Sequence, residues 1–199
     1  MPSPSQNKKS YPLNALRSTP SVITVFGSGS IGPKSKEWKL AYETGFLLAK
    51  AGFTLANGGY GGTMEASAKG AKDAGGKTIG VTTDEFQGSL ANPFIDQEIK
   101  TKLWRERLFK LIDLADGFLI LNGATGTMVE LLVIWEMLNK GLLSKPAVIL
   151  GKRMRLLADF LREFPDLQFS KQMTVRITPE FAVHFLSRRL LISDETLRF

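Results

Sequence analysis

Short, almost wholly apolar runs alternate along the chain with longer stretches in which apolar residues return every three or four positions. Val22-Ile23-Thr24-Val25-Phe26, Phe53-Thr54-Leu55-Ala56, Lys77 to Thr82, Gly117 to Leu121 and Pro146 to Leu150 are compact runs bounded on at least one side by glycine, asparagine or proline. Runs of that kind are strands buried on both faces of a parallel sheet. Met173 to Thr178 is a shorter last strand. Between them, residues 35–50 place Trp38, Tyr42 and Phe46 at helical spacing and stop at Gly52. Helices are also predicted over 63–74, 99–115, 128–137 and 153–163, with a last one opened by Pro179. Residues 83–98, with Phe86, Asn92-Pro93 and Phe94, show no period and are expected to form a loop or lid. Residues 1–20 are a flexible lead-in, 21–191 a single domain, and 192–199 a loose tail. Strand–helix alternation with right-handed crossovers predicts a Rossmann-like, doubly wound, mostly parallel sheet with helices on both faces.

The punctuation between these elements carries the chemistry. Three strand-to-helix turns are rich in small residues: Gly27-Ser28-Gly29-Ser30-Ile31-Gly32, Asn57-Gly58-Gly59-Tyr60-Gly61-Gly62, and Asn122-Gly123-Ala124-Thr125-Gly126-Thr127. All three follow strands, so they share one edge of the sheet, where such folds hold ligands. A helix that opens from such a turn has free N–H groups and a favourable dipole for an anion. The first turn has the formal G-x-G-x-x-G of a dinucleotide site. However, Pro33 follows its third glycine, and the second strand ends in Asn57 rather than a ribose-binding acid. A nicotinamide enzyme is therefore a weak reading, while a phosphate or ribose remains a suitable ligand.

Composition narrows the chemistry further. No cysteine is present, which excludes disulfides, thiolate metal sites and cysteine nucleophiles, and the single histidine, His184, excludes a histidine-rich metal site. No apolar run approaches the roughly 20 residues of a membrane helix, so a cytoplasmic protein with no membrane partner is expected. The net charge of +7 suggests nucleic acid, but its distribution does not. Lys8, Lys9 and Arg17 lie in the lead-in, and residues 149–199 hold nine basic and six acidic residues. The glycine-rich middle is close to neutral, so solvated ends are the expected explanation.

Two charged residues interrupt apolar surroundings. Arg107 lies between Leu103 and Leu111 on the apolar stripe of the helix over 99–115, while Arg105, Glu106 and Lys110 can point outward. Glu130 lies one turn inside the helix after the third glycine turn, amid Val129, Leu131, Leu132 and Val133. Taken singly, each is an ordinary snorkelling or paired charge, and Glu130 is a candidate partner for Arg107. Together they flank one phosphate loop, where an arginine for a phosphate or ribose oxygen and a carboxylate for a developing sugar cation make chemical sense. Met64, beside Glu65 after the second turn, can pack a base.

These stretches resemble the LONELY GUY (LOG) family, often mislabelled lysine decarboxylases, in order over roughly residues 21–185. VFGSGSIG resembles the family's first strand and G-[GS]-S loop, and GFTLANGGYGGTMEASAKGAKDAGGKTIGV its second signature. RERLFKLIDLADGFLILNGATGTMVELL resembles its R-K…P-G-G-x-G-T-x-x-E signature. The resemblance implies Arg107 and Glu130 as the catalytic pair, with Gly123, Gly126 and Thr127 in a phosphate-cradling loop. Gly27, Ser28, Gly29, Gly58, Gly59, Met64 and Thr125 complete the expected ligand set. It also implies a homodimer whose sites draw on both subunits. The reaction would be hydrolysis of nucleoside 5′-monophosphates, cytokinin ribotides in particular, with an AMP-like nucleotide as small-molecule ligand and no metal or cofactor. A related branch binds molybdenum cofactor without hydrolysis. Three positions depart from the pattern: Asn122 replaces the usual proline, Ala124 the second glycine, and Leu108 the lysine of R-K. The Ala124 methyl either narrows the phosphate site or sits where backbone angles allow it.

Overall fold

The computed structural model describes residues 20–196 apart from 165 and 168, with backbone only beyond residue 190. The lead-in expected over 1–20, except Pro20, and the last three residues of the expected tail lie outside the described residues. The strands are β1 (Val22–Phe26), β2 (Thr54–Asn57), β3 (Thr78–Thr83), β4 (Gln97–Thr101), β5 (Gly117–Ile120), β6 (Ala147–Leu150) and β7 (Met173–Arg176). They form one sheet in the order β4-β3-β2-β1-β5-β6-β7, and every pairing is parallel. The helices are α1 (Lys36–Lys50), α2 (Thr63–Asp73), α3 (Trp104–Leu114), α4 (Thr125–Asn139), α5 (Lys152–Arg162) and α6 (Pro179–Thr196). Among the described residues no helix is long and apolar enough to cross a membrane.

Alternation along each strand sends side chains into two cores. Ile23, Val25, Leu55, Leu119 and Val148 pack beneath α1, α2 and α6. Phe26, Phe118, Ile120 and Ile149 pack beneath α3, α4 and α5, where Trp135 lies in the core and stacks on Phe169 at 4.4 Å. Each fully buried Phe, Leu or Ile contributes about 1.5–3 kcal/mol. The expected doubly wound parallel sheet with two helical layers is therefore the observed one.

Several boundaries differ from the sequence prediction, among them the end of α6, which runs to Thr196 into the stretch expected to be a loose tail. The expected loop over 83–98 ends in an edge strand, β4, and α3 begins at Trp104 rather than near Ile99. Gln97-Glu98-Ile99-Lys100-Thr101 is polar because it lies at the sheet edge and faces solvent, a composition that hides a strand from apolar-pattern reading. The preceding segment is anchored: Asn92 Nδ2 donates to Gly59 O (3.0 Å) and Tyr60 O (2.8 Å), and Thr78 N donates to Asp96 Oδ2 (2.9 Å). α4 starts at Thr125, so part of the expected third loop is already helix.

The winding runs outward from β1 through β2 and β3 to β4, then restarts at β5 on the other side of β1. This reversal opens a crevice at the C-terminal ends of β1 and β5, where ligands enter such sheets. Backbone bonds tie the loops there: Ser28 N donates to Asn122 O (3.0 Å), and Thr63 N donates to Ser28 O (2.8 Å).

Candidate functional site

The third loop leads directly into α4. Gly123 is required by close approach, because a Cβ there would lie 2.0 Å from Thr127 Oγ1. Thr127 is thereby buried beneath the turn, and Thr125 and Gly126 are left on the exposed side. No side chain caps α4 and its first turn has no acid, so its leading N–H groups and positive dipole end are open to an anion. Ala124 has φ −102° and ψ −154°, extended backbone that any residue adopts, and it is exposed. Of the two readings of Ala124, the backbone supports the second. Asn122 does what a proline could not. Its Oδ1 accepts from Arg153 N (2.9 Å) and Met154 N (3.4 Å), capping α5 from the neighbouring strand's loop.

The second loop is organised by Asn57. Its Nδ2 donates to Met64 O (2.8 Å) and Ser67 Oγ (3.2 Å), and its Oδ1 accepts from Gly59 N (2.8 Å). The residue at the place of a ribose-binding acid is thus a structural tie, which agrees with setting the nicotinamide reading aside. The first loop brings Gly29 near Met64, with 3.5 Å between an added Cβ and the methionine Cε.

Arg107 is 6% exposed. Its Nε donates to Val81 O (2.8 Å) and its Nη2 to Gly58 O (3.1 Å), with Met64 Sδ at 3.8 Å. Gly58 has to be glycine, since a Cβ would lie 1.6 Å from Arg107 Nη2. The rings of Tyr60 and Phe86 lie 5.3 and 5.7 Å from the guanidinium carbon. Nη1 has no protein partner among the described residues, and no buried side-chain nitrogen or oxygen there lacks one, so Nη1 reaches the open side. Burial lowers the guanidinium from its usual range, opposed by the charge of Glu130 and by Tyr60. Arginine nevertheless remains the cation.

Glu130 sits on α4, mostly enclosed but with its carboxyl reaching solvent. Burial pushes its pKa up to about 8, and the positive charge of Arg107 opposes the rise. The two sense one another through space, but among the described residues they form no contact ion pair. The candidate partnership of Glu130 with Arg107 is thus one through space and not a contact pair, the arginine's bonds going to Val81 and Gly58. A mostly enclosed carboxyl without a salt bridge holds its proton at neutral pH and becomes a base above it.

The structure thus brings Gly27, Ser28, Gly29, Gly58, Gly59, Met64, Arg107, Gly123, Thr125, Gly126, Thr127 and Glu130 onto one edge of the sheet. Sequence reasoning passed over Tyr60 and Phe86. A lone aromatic inside Gly-Gly-Tyr-Gly-Gly was the available signal for the first, while nothing local marked the second. A separate hollow of about 740 Å³ lies at the opposite edge, lined by residues such as Lys145, Gln172, Arg176 and His184. It shares no residue with the loops.

The SLOG cluster4 family model matches residues 20–166. An uncharacterized protein of Archaeoglobus fulgidus is 35% identical over 133 residues, covering 66% of this chain and 85% of that protein. A cytokinin riboside 5′-monophosphate phosphoribohydrolase of Rhodococcoides fascians is 31% identical over 141 residues, 68% of this chain and 70% of that protein. Among solved structures, the molybdenum cofactor binding protein from Rippkaea orientalis superposes with a TM-score of 0.72 at 24% identity, covering 87% of this chain and 99% of that one. The molybdenum cofactor carrier protein of Chlamydomonas reinhardtii gives 0.65 at 24% identity, with 87% and 99% covered. At that identity the two structures show the common fold. The matched segment spans all three glycine loops together with Arg107 and Glu130, and the chain belongs to the SLOG cluster4 family, with the LOG-like fold.

Proposed function

We propose that the protein hydrolyses the N-glycosidic bond of a nucleoside 5′-monophosphate of the cytokinin ribotide type, releasing the base and ribose 5-phosphate. The observation that carries this reading is the convergence of an uncapped helix end, a buried arginine and a carboxyl free of any contact ion pair at one crevice. The N–H groups of Thr125 and Gly126 take the phosphate, and the loops at Gly27–Gly29 and Gly58–Gly59 enclose the ribose. As the C1′–N bond breaks, its electron pair leaves with the base and the sugar becomes cationic. Glu130 as carboxylate stabilises that cation and takes a proton from the attacking water, whose oxygen bonds to C1′. The proton then passes to the base. Arg107, through Nη1, orients the substrate and offsets negative charge. The phosphoribohydrolase names of curated relatives support this chemistry.

The working form of Glu130 is the ionised one, so turnover rises with pH towards about 8. The second copy implied by family resemblance would cover apolar residues that α4 and α5 leave exposed: Leu132 (48%), Leu156 (56%) and Phe160 (60%). Light scattering on the purified chain tests that.

The competing reading is retention of a nucleotide or molybdenum cofactor without turnover, and it draws on the names of the structural relatives. Incubation with AMP and isopentenyl-AMP, followed by chromatography of free base, separates the two. Hydrolysis predicts base from wild type and none from Glu130→Gln. Ligand that co-purifies with the protein and no base from wild type would favour retention.

A further inference from the structure

We propose that Tyr60 and Phe86 form the wall on which the base of the nucleotide stacks, with Phe86 as the specificity-determining residue. This rests on the proposed nucleotide reading and adds where the base lies and what selects it.

Tyr60 is held rigidly. Its hydroxyl accepts from Thr83 N (2.9 Å) and lies 3.3 Å from Thr83 O, to which it donates. Phe86 stands 5.7 Å from Tyr60, centroid to centroid, with the rings inclined at 51°. Its segment, 84–90, is solvent-facing throughout and otherwise made of Asp84, Glu85, Gln87, Gly88, Ser89 and Leu90. An aromatic ring there, 40% exposed, contributes little to either core. Yet the segment is tied where it leaves β3, closes on itself in a turn, and is held just after its end by Asn92 N donating to Gly59 O (2.7 Å). Asp84 N donates to Thr101 O (3.0 Å), Ser89 N donates to Phe86 O (3.1 Å), and the Glu85 carboxylate accepts the N–H of Trp104 at the start of α3. The ring is therefore positioned beside the crevice.

Both rings border Arg107, and so does the sulfur of Met64. Apart from the carbonyls of Val81 and Gly58 that take Nε and Nη2, the guanidinium is bordered by π-faces and a polarisable thioether, with Nη1 available at the edge. That set matches a flat heteroaromatic base: its faces suit the rings, and its ring nitrogens or carbonyl suit Nη1. A sugar phosphate without a base would have no use for it. The plainer alternative is that the rings only shelter the Arg107 charge by cation–π contact, in which case they matter equally to every ligand.

The two are separated by calorimetric titration of wild type and Phe86→Ala with two probes. One is an adenosine-like C-nucleoside 5′-monophosphate, whose carbon–carbon link to the sugar resists hydrolysis. The other is ribose 5-phosphate. Stacking predicts that Phe86→Ala weakens the C-nucleotide roughly five- to hundred-fold and leaves ribose 5-phosphate within about two-fold, and that Phe86→Trp restores binding. Retained ribose 5-phosphate affinity also shows that the variant is folded. Equal losses for both probes, or no loss for either, overturn the stacking wall. Wild type that binds ribose 5-phosphate as tightly as the C-nucleotide also overturns it while leaving the phosphate cradle standing. Wild type that binds neither probe overturns the proposed function, and this inference with it.

Discussion

Replacing Glu130 by glutamine freezes the side chain in the shape of its protonated form and removes its titration. An unfolded glutamate ionises near 4.5, whereas in the folded protein burial holds the proton up to about 8. Below the lower value both states are protonated, and wild type and variant respond to pH alike. Between the two values the unfolded chain gives up its proton and the folded chain does not, so wild-type stability falls as pH rises. Above about 8 the folded state ionises too, and the difference stops growing. At about 1.4 kcal/mol for each pH unit, the interval between 4.5 and about 8 sets a ceiling of about 5 kcal/mol. The carboxyl reaches water, so the expected difference is smaller, about 2–3 kcal/mol. Urea unfolding of wild type and Glu130→Gln from about pH 5 to about pH 9 measures it. The variant should gain on wild type through that range and then run parallel. Curves parallel throughout would refute the enclosed carboxyl, and with it the claim that this side chain is kept ready to ionise near the working pH.

Three further outcomes follow from individual contacts. Gly58→Ala places a methyl carbon 1.6 Å from Arg107 Nη2; it should lower stability by about 1–3 kcal/mol in urea melts and abolish any base release. Asn122→Ala removes the acceptor at the head of α5; a loss of about 1 kcal/mol is expected, with the local effect visible as faster amide exchange at Arg153 and Met154. Asn92→Ala releases the two carbonyls that Nδ2 joins; it should cost about 1–3 kcal/mol, read as a lower Tm.

What could be read from the chain was what repeats along it. Buried strands such as Val22–Phe26 and Ala147–Leu150 are apolar because both faces of the sheet are covered, so their composition and their position carry the same message. Arg107 was visible because it breaks a helical stripe. What it binds was not, because Val81 and Gly58 lie 26 and 49 residues away in sequence and meet it only through the sheet order. β4 was hidden for the opposite reason to β1, since an edge strand facing water needs no apolar residues. The start of α4 was misplaced because Thr125-Gly126-Thr127 has turn-like composition, although the turn is complete by Ala124. Phe86 became legible only with distances in hand.

The side chain of Asn122 has one more consequence. β5 and β6 are neighbours, and each is followed by a helix whose amino end emerges at the same edge of the sheet. By lending its oxygen to α5, Asn122 works as a stopper in one of two adjacent sockets. Of these two helix heads only that of α4 is left without a side-chain acceptor for a negatively charged group to replace, and the loop that helps build it is the one that closes the other.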